Sequence, residues 1–344
     1  MDALTDRPLS LPPLRERQAM PAHAPLAMPA QSLRRWSDAD RRPLTAPDLW
    51  RTPWFARLVA FGGMLAITGA GSWQMYKVVE AGGVTLLEWA FLIFFVVNFS
   101  WIALAFTTGL LGLGHLLRHG LNRKPELPDA LRERTAVVMP IYNESPARVF
   151  GTVQAIAEDV AATGHGASFD FFFLSDTTDP DIWIAEERAF LALRDRLPGM
   201  AIHYRHRPKN TARKAGNIAD FVTHWGGHYA HMIVLDADSL MTGETIVALA
   251  DAMERDPDAG IIQTLPRLIN RNTLIARLQQ FAARVYGPVV AAGLAVWSGR
   301  DGNYWGHNAI IRMEAFATSA GLPDLPGKPP FGGHILSHDF VEAG

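Results

Sequence analysis

The sequence predicts an α/β domain with a mostly parallel, doubly wound sheet, preceded by two membrane-spanning helices. Three observations carry that expectation. Two long charge-free apolar runs lie between residues 58 and 113, short apolar runs alternate with amphipathic stretches after Pro125, and polar clusters stand at the ends of several of those runs.

The first 52 residues are rich in Pro, Ala and Arg and sustain no hydrophobic period, so they read as a disordered tail. Leu58–Tyr76 then carries no charge, nor does Trp89–Leu113, and a membrane span needs about 20 apolar residues. Together with their flanks they form a predicted hairpin over 53–120. Arginines crowd the approach up to Arg57, and Arg118, Arg123, Lys124, Arg132 and Arg134 follow the second run, whereas the connection near 77–83 holds one lysine. The positive-inside rule therefore places both termini in the cytoplasm. Glu88 reads as a carboxylate reaching the interface, and Asn98 and Ser100 as helix-packing residues.

From 125 to 344 the pattern is that of alternating strands and helices. Thr135–Ile141 reads as a buried strand. Asn143 reads as the cap of a helix from near Pro146, with Val149, Phe150, Val153, Ala157 and Val160 at helical spacing. Ser168–Ser175 is the second strand, and Asp179-Pro180 opens the second helix with Asp179 as its cap. Ala201–Arg205, His231–Asp236 and Gly260–Leu265 read as further strands, and Trp305–Arg312 is strand-like. Lys214–Val222, Gly243–Met253 and Leu274–Val285 read as helices.

Composition removes several classes of function. The chain has no cysteine, which excludes disulfide scaffolds, iron–sulfur clusters and thiol nucleophiles. Its formal net charge of −2 offers no basic field for nucleic acid.

Ligands of open α/β sheets sit beyond the carboxyl ends of the strands. Asp236 and Asp238 follow the apolar run Met232–Leu235 and point to the same side. Two such carboxylates repel unless a cation lies between them, and Mg²⁺ or Mn²⁺ takes oxygen ligands of this kind. Asp176 ends another apolar strand, where a turn role and a nucleotide contact both fit. Arg213 and Lys214 fit either a solvated helix start or the neutralisation of a diphosphate. His203 and His206 lack metal-ligand spacing.

These residues resemble a family. Met139-Pro140-Ile141-Tyr142-Asn143-Glu144, then Asp176, Lys214-Ala215-Gly216-Asn217 and Asp236-Ala237-Asp238 look like the membrane-bound, inverting family 2 glycosyltransferases with a GT-A fold, cellulose synthases among them. The stretches 173–181, 299–312 and 337–343 resemble the branch that builds osmoregulated periplasmic glucans in bacterial inner membranes. The resemblance covers Trp54–Gly344. It implies that Asp176 contacts the nucleotide, that Lys214 and Asn217 lie on the donor side, and that Asp236 and Asp238 hold the metal and the diphosphate. It also implies that Trp305, Gly306, His307 and Asn308 form the loop beneath the acceptor sugar. For Trp305, core packing is the competing reading.

Asp339 matches the general base in the same comparison, against a competing reading as the cap of a helix starting at Phe340. The implied partners are UDP-glucose, a growing glucan acceptor, the lipid bilayer and a periplasmic glucan-processing protein, without nucleic acid. The implied place is the inner membrane, multi-pass, with the catalytic domain cytoplasmic. The family's Gln-x-x-Arg-Trp motif and later helices are expected after Asp339, so the chain reads as part of a longer protein. Two alternatives stand beside this expectation: another membrane polysaccharide synthase of cellulose or hyaluronan type, and a non-catalytic UDP-sugar sensor.

Overall fold

The structure is a computed structural model that describes residues 20–31, 53–120, 126–328, 332, 333 and 335. Its elements in chain order are α1 (Trp54–Val79), α2 (Leu86–His119), β1 (Thr135–Ile141), α3 (Pro146–Ala162), β2 (Phe169–Ser175), α4 (Pro180–Arg196), β3 (Ala201–His206) and α5 (Arg213–Trp225). There follow β4 (His231–Val234), α6 (Gly243–Arg255), β5 (Ile261–Gln263), α7 (Leu274–Val285), α8 (Gly287–Ser298), β6 (Ala309–Arg312) and α9 (Met313–Ser319). They fall into two units, one containing the sheet and the other the two long helices.

In the sheet unit six strands run in the order β3-β2-β1-β4-β6-β5. β1 pairs in parallel with β2 and β4, and β2 with β3, while β6 runs antiparallel to both β4 and β5. The sheet is therefore mostly parallel as expected, but Gly260–Leu265 shortens to an antiparallel strand of three residues and only Ala309–Arg312 of the strand-like 305–312 pairs. The chain leaves β1 for β2 on one side and returns to β4 on the other, and a crevice opens where the order reverses.

Buried side chains on both faces explain the continuous apolar strands. Phe173 stacks on Phe150 of α3 at 4.0 Å, and on the opposite face Phe172 meets Phe221 of α5 at 4.8 Å. Asp179 caps α4 as read from the sequence, accepting from the Asp181 amide at 3.0 Å. Asn143 does not cap α3, whose N-cap is Ser145. It sits at φ 57 and its Oδ1 accepts from the amides of Thr178 and Asp179. Its amide side chain thus ties the β1 and β2 loops, because the chain before Pro146 turns away from the helix end.

Part of the segment read as a disordered tail is ordered. Residues 20–31 lie extended along the sheet unit. The Ala24 amide donates to the His224 carbonyl at 2.9 Å, Trp225 Nε1 to the Pro21 carbonyl at 3.1 Å, and the Gln31 amide to the Gly321 carbonyl at 2.6 Å. Leu26 packs over Gly226. Such a strap is held by backbone groups and a few rings, so it leaves no hydrophobic period to read.

The other unit contains the hairpin. Trp54–Val79 and Leu86–His119 are both long and apolar enough to cross a membrane. The 34 residues of α2 reach about 51 Å at 1.5 Å per residue, beyond a hydrocarbon core of about 30 Å. Glu88 closes a capping box with Thr85, which satisfies the first amides of α2. Among the described residues, Asn98 and Ser100 form no hydrogen bond to another helix. Each donates to a carbonyl of its own helix, Phe94 and Val97. A polar contact between α1 and α2 is made by Thr107 Oγ1, which donates to the Ala60 carbonyl at 2.9 Å.

Residues 264–304 pack with the hairpin in this unit. The reason is α8, which packs on α2 through a glycine pair. A Cβ at Gly293 would lie 1.9 Å from the Thr108 carbonyl oxygen, and one at Gly112 would lie 1.8 Å from that of Val289. Small residues permit this approach of two helix backbones. Arg57 Nε and Nη2 donate to the carbonyls of Trp297 and Ser298 and so close the C-terminus of α8. Before it α7 turns Leu274, Ile275, Leu278 and Phe281 outward, and meets α8 at a bend of 51°.

Candidate active site

A cleft of about 830 Å³ lies at the carboxyl ends of β1, β2 and β4. It is lined by Tyr142 and Glu144 after β1, Asp176 after β2, Lys214 and Asn217 on the first turns of α5, and Asp236 and Asp238 after β4. Every donor-side and metal residue expected from the sequence thus reaches one cavity.

Each strand-end carboxylate is held differently. Asp176 is 3% exposed and forms a bidentate pair with Arg207, whose Nε and Nη2 donate at 2.8 and 2.7 Å. Nothing in the sequence marks Arg207 as this partner, since Asp176 stands 31 positions earlier. Asp236 is partly exposed. Lys214 Nζ donates to its Oδ1 at 2.6 Å and to the Gly306 carbonyl at 2.7 Å, while His307 Nδ1 stands 3.3 Å from its Oδ2. Asp238 is exposed at the cleft. Asn217 is buried and donates to the Leu174 carbonyl at 2.8 Å, which fastens α5 to β2.

The start of α5 is shaped for this. Ala212 and Arg213 adopt φ 55 and 51, and a Cβ at Gly216 would meet the Thr211 carbonyl oxygen at 2.1 Å. Only glycine allows the loop to fold back onto the first turn, which aims Lys214 at Asp236.

Of the loop 305–308, His307 is beside Asp236, which brings a residue expected on the acceptor side next to one expected to hold the metal. Trp305 is 36% exposed, so its side chain is not enclosed in the core. Its amide donates to Gln263 Oε1 at 3.1 Å. Asn308 takes φ 55 and its amide donates to the Val234 carbonyl at 2.8 Å, continuing the β4–β6 ladder. Asp339 lies outside the described residues.

Glu144, part of the quoted motif but given no role from the sequence, also faces the cleft. Burial pushes its carboxyl up, with the Glu186 and Asp236 carboxylates adding to the effect and hydrogen bonds from the Tyr142 and Glu144 amides opposing it.

Among the described residues no three His, Cys, Asp or Glu side chains come close enough to hold a metal by themselves. The donor set fits a cation that a ligand helps to hold. The Lys214 ammonium already stands against Asp236, which shows a carboxylate that demands positive charge, and Mg²⁺ is commonly bound by one or two carboxylates plus substrate phosphates.

Residues 136–319 match the family described as glycosyl transferase family 2, and the chain belongs to that family. With the mostly parallel sheet this makes the α/β unit a glycosyltransferase domain of GT-A type. Two curated relatives called glucans biosynthesis glucosyltransferase H are similar to most of it. The one from Shewanella baltica (strain OS185) is 54% identical over 326 residues, 94% of this chain and 45% of that protein. The one from Rhodopseudomonas palustris (strain BisA53) is 52% identical over 334 residues, 95% of this chain and 46% of that protein. The chain thus spans about half the length of the curated relatives it matches. A solved mannosyltransferase, PcManGT from Pyrobaculum calidifontis in complex with GDP-Man and Mn²⁺, is 18% identical over 62% of this chain and 55% of its own, with a TM-score of 0.42. At that score the likeness carries no argument about chemistry.

Proposed function

We propose that this chain carries the donor site of an inverting, UDP-glucose-dependent glucosyltransferase that builds the β-glucan backbone of osmoregulated periplasmic glucans. The observation that carries the reading is the convergence of Asp176, Lys214, Asp236 and Asp238 on one cleft at the strand ends. The relatives' shared description supports glucose as the sugar.

In this reading Asp176 and its partner Arg207 border the nucleotide, and the Lys214 ammonium turns from Asp236 toward the diphosphate. Asp236 and Asp238 would hold Mg²⁺ or Mn²⁺, which would supply charge neutralisation for the leaving diphosphate. Asp339 takes the proton of the acceptor hydroxyl as that oxygen bonds to the anomeric carbon. The bond from that carbon to the diphosphate oxygen breaks with its electron pair, and UDP departs. A single displacement inverts the centre, so an α-linked donor becomes a β-linked product. The Trp305 ring offers an apolar face to the acceptor sugar, with His307 and Asn308 beside it. The hairpin spans the inner membrane, multi-pass in the longer protein, with the sheet unit cytoplasmic and the glucan passed to a periplasmic processing partner. Incorporation of radiolabelled UDP-glucose into β-glucan by membranes carrying the protein tests the reading. Incorporation abolished by EDTA and restored by Mg²⁺ or Mn²⁺ is expected, and membranes that bind no UDP and incorporate no glucose would overturn it.

A further inference from the structure

Glu186, on α4, is 1% exposed and outside the cleft lining. A carboxylate so buried is costly unless its lone pairs are satisfied. Among the described residues no lysine, arginine or histidine forms an ion pair with it. It is satisfied by three hydroxyls instead: Ser175 Oγ donates at 2.7 Å, Thr177 Oγ1 at 2.6 Å and Tyr204 OH at 3.0 Å. Burial and the Glu186 charge push the Tyr204 hydroxyl up, which keeps it a donor.

Two of these donors flank Asp176. The Glu186 carboxylate accepts from both, so it claims the hydroxyl protons of Ser175 and Thr177 and turns their lone pairs away. Those lone pairs are then used. Ser175 Oγ accepts from the Thr177 amide at 3.2 Å, and Thr177 Oγ1 accepts from the Asn143 amide at 3.1 Å. The Thr177 carbonyl in turn faces His206 Nε2 at 2.8 Å. One buried carboxylate therefore sets the hydrogen-bond directions of the loops after β1 and β2 and joins them to β3.

We infer that Glu186 is a positioning residue of the donor site, which fixes Asp176 and the Tyr142–Glu144 turn in the geometry that receives the nucleotide. The inference rests on the reading of Asp176 as a nucleotide contact. It has a sharp consequence for Glu186→Gln. The amide keeps the shape but presents N–H groups where only acceptors fit, so at least one hydroxyl must turn its proton away from residue 186 and lose the acceptor it has there.

The test is UDP affinity by calorimetry with Mg²⁺ present, together with the melting temperature, on the detergent-purified protein. Glu186→Gln is expected to weaken UDP binding by about tenfold or more, as a misplaced polar network does. Leu193→Ala, also on α4 and 4% exposed, serves as the control and should lower the melting temperature with UDP affinity held within about twofold. Thr177→Val should weaken UDP binding similarly, and combining it with Glu186→Gln should add little, since both act through one network. UDP affinity unchanged in Glu186→Gln, or weakened as much in Leu193→Ala, would overturn the inference. Should Glu186→Gln not fold, unchanged affinity in Thr177→Val overturns it equally. A wild-type protein that binds no UDP would instead overturn the reading of the cleft.

Discussion

β2 carries a buried aspartate near each end, and each meets an arginine, yet the two pairs do different things. At the amino end Asp170 accepts from Arg134 at 2.6 and 2.7 Å and from Tyr229 at 2.6 Å, with His203 at 3.8 Å. Burial opposes its ionisation, but the bonds from His203, Tyr229 and Arg134 outweigh that and hold its carboxyl below the usual range. At the carboxyl end Asp176 has, among the described residues, Arg207 alone as its side-chain partner, and it borders an open cleft. Asp236 is held in the same provisional way by Lys214 and His307. A saturated carboxylate is mortar, whereas one with a single cation beside a cavity can exchange that partner for a ligand.

The contrast predicts that carboxyl-end substitutions change binding and rate, and amino-end ones change stability. The largest effect is expected at Asp339, proposed above as the general base. Asp339→Asn should lower glucose transfer by about 10²–10⁴-fold, the usual loss of a general base, with UDP affinity retained. Asparagine caps a helix as well as aspartate does, so near-normal transfer would return Asp339 to the capping role.

Next is His231, at the amino end of β4, whose imidazole is pushed down to about 4 by burial and then by the nearby Arg312 charge. Between pH 6.5 and about 4 the unfolded chain binds the proton and the folded one does not. Stability contributed by neutral His231 is therefore complete above pH 6.5 and is lost as pH falls through that window, by at most about 3 kcal/mol. Thermal unfolding of wild type and His231→Gln from pH 7 to 4 measures this, and an equally steep decline in both would contradict it.

Asp170→Asn should cost about 2 kcal/mol of stability, the usual range for disturbing a buried polar cluster. UDP affinity should stay at the wild-type value, and a joint loss of both would erase the contrast between the two ends. The smallest effect is expected at exposed Asp238. Asp238→Asn should weaken Mg²⁺-dependent UDP binding by about tenfold, because a neutral amide is a poorer ligand for a hard cation. Calorimetry with Mg²⁺ against EDTA reads it, and equal UDP affinity in both solutions would remove the cation from this end.

What the sequence alone determined about this protein is whatever depends on neighbours along the chain. The two charge-free runs became the two long helices, the apolar runs became β1, β2 and β4, and Asp176, Asp236 and Asp238 stood at strand ends because strand ends are local events. Asp179 was legible as a cap for the same reason. Tertiary structure decided what depends on partners far apart. The sequence could not show Arg207 on Asp176, His307 on Asp236 across 71 positions, or the three hydroxyls around Glu186. Nor could it show that 264–304 joins the hairpin through Gly112 and Gly293, or that 20–31 lies along the sheet unit. Periodicity reports which face of one element is apolar; which other element covers that face, and which charge meets which, is settled only when the chain closes on itself.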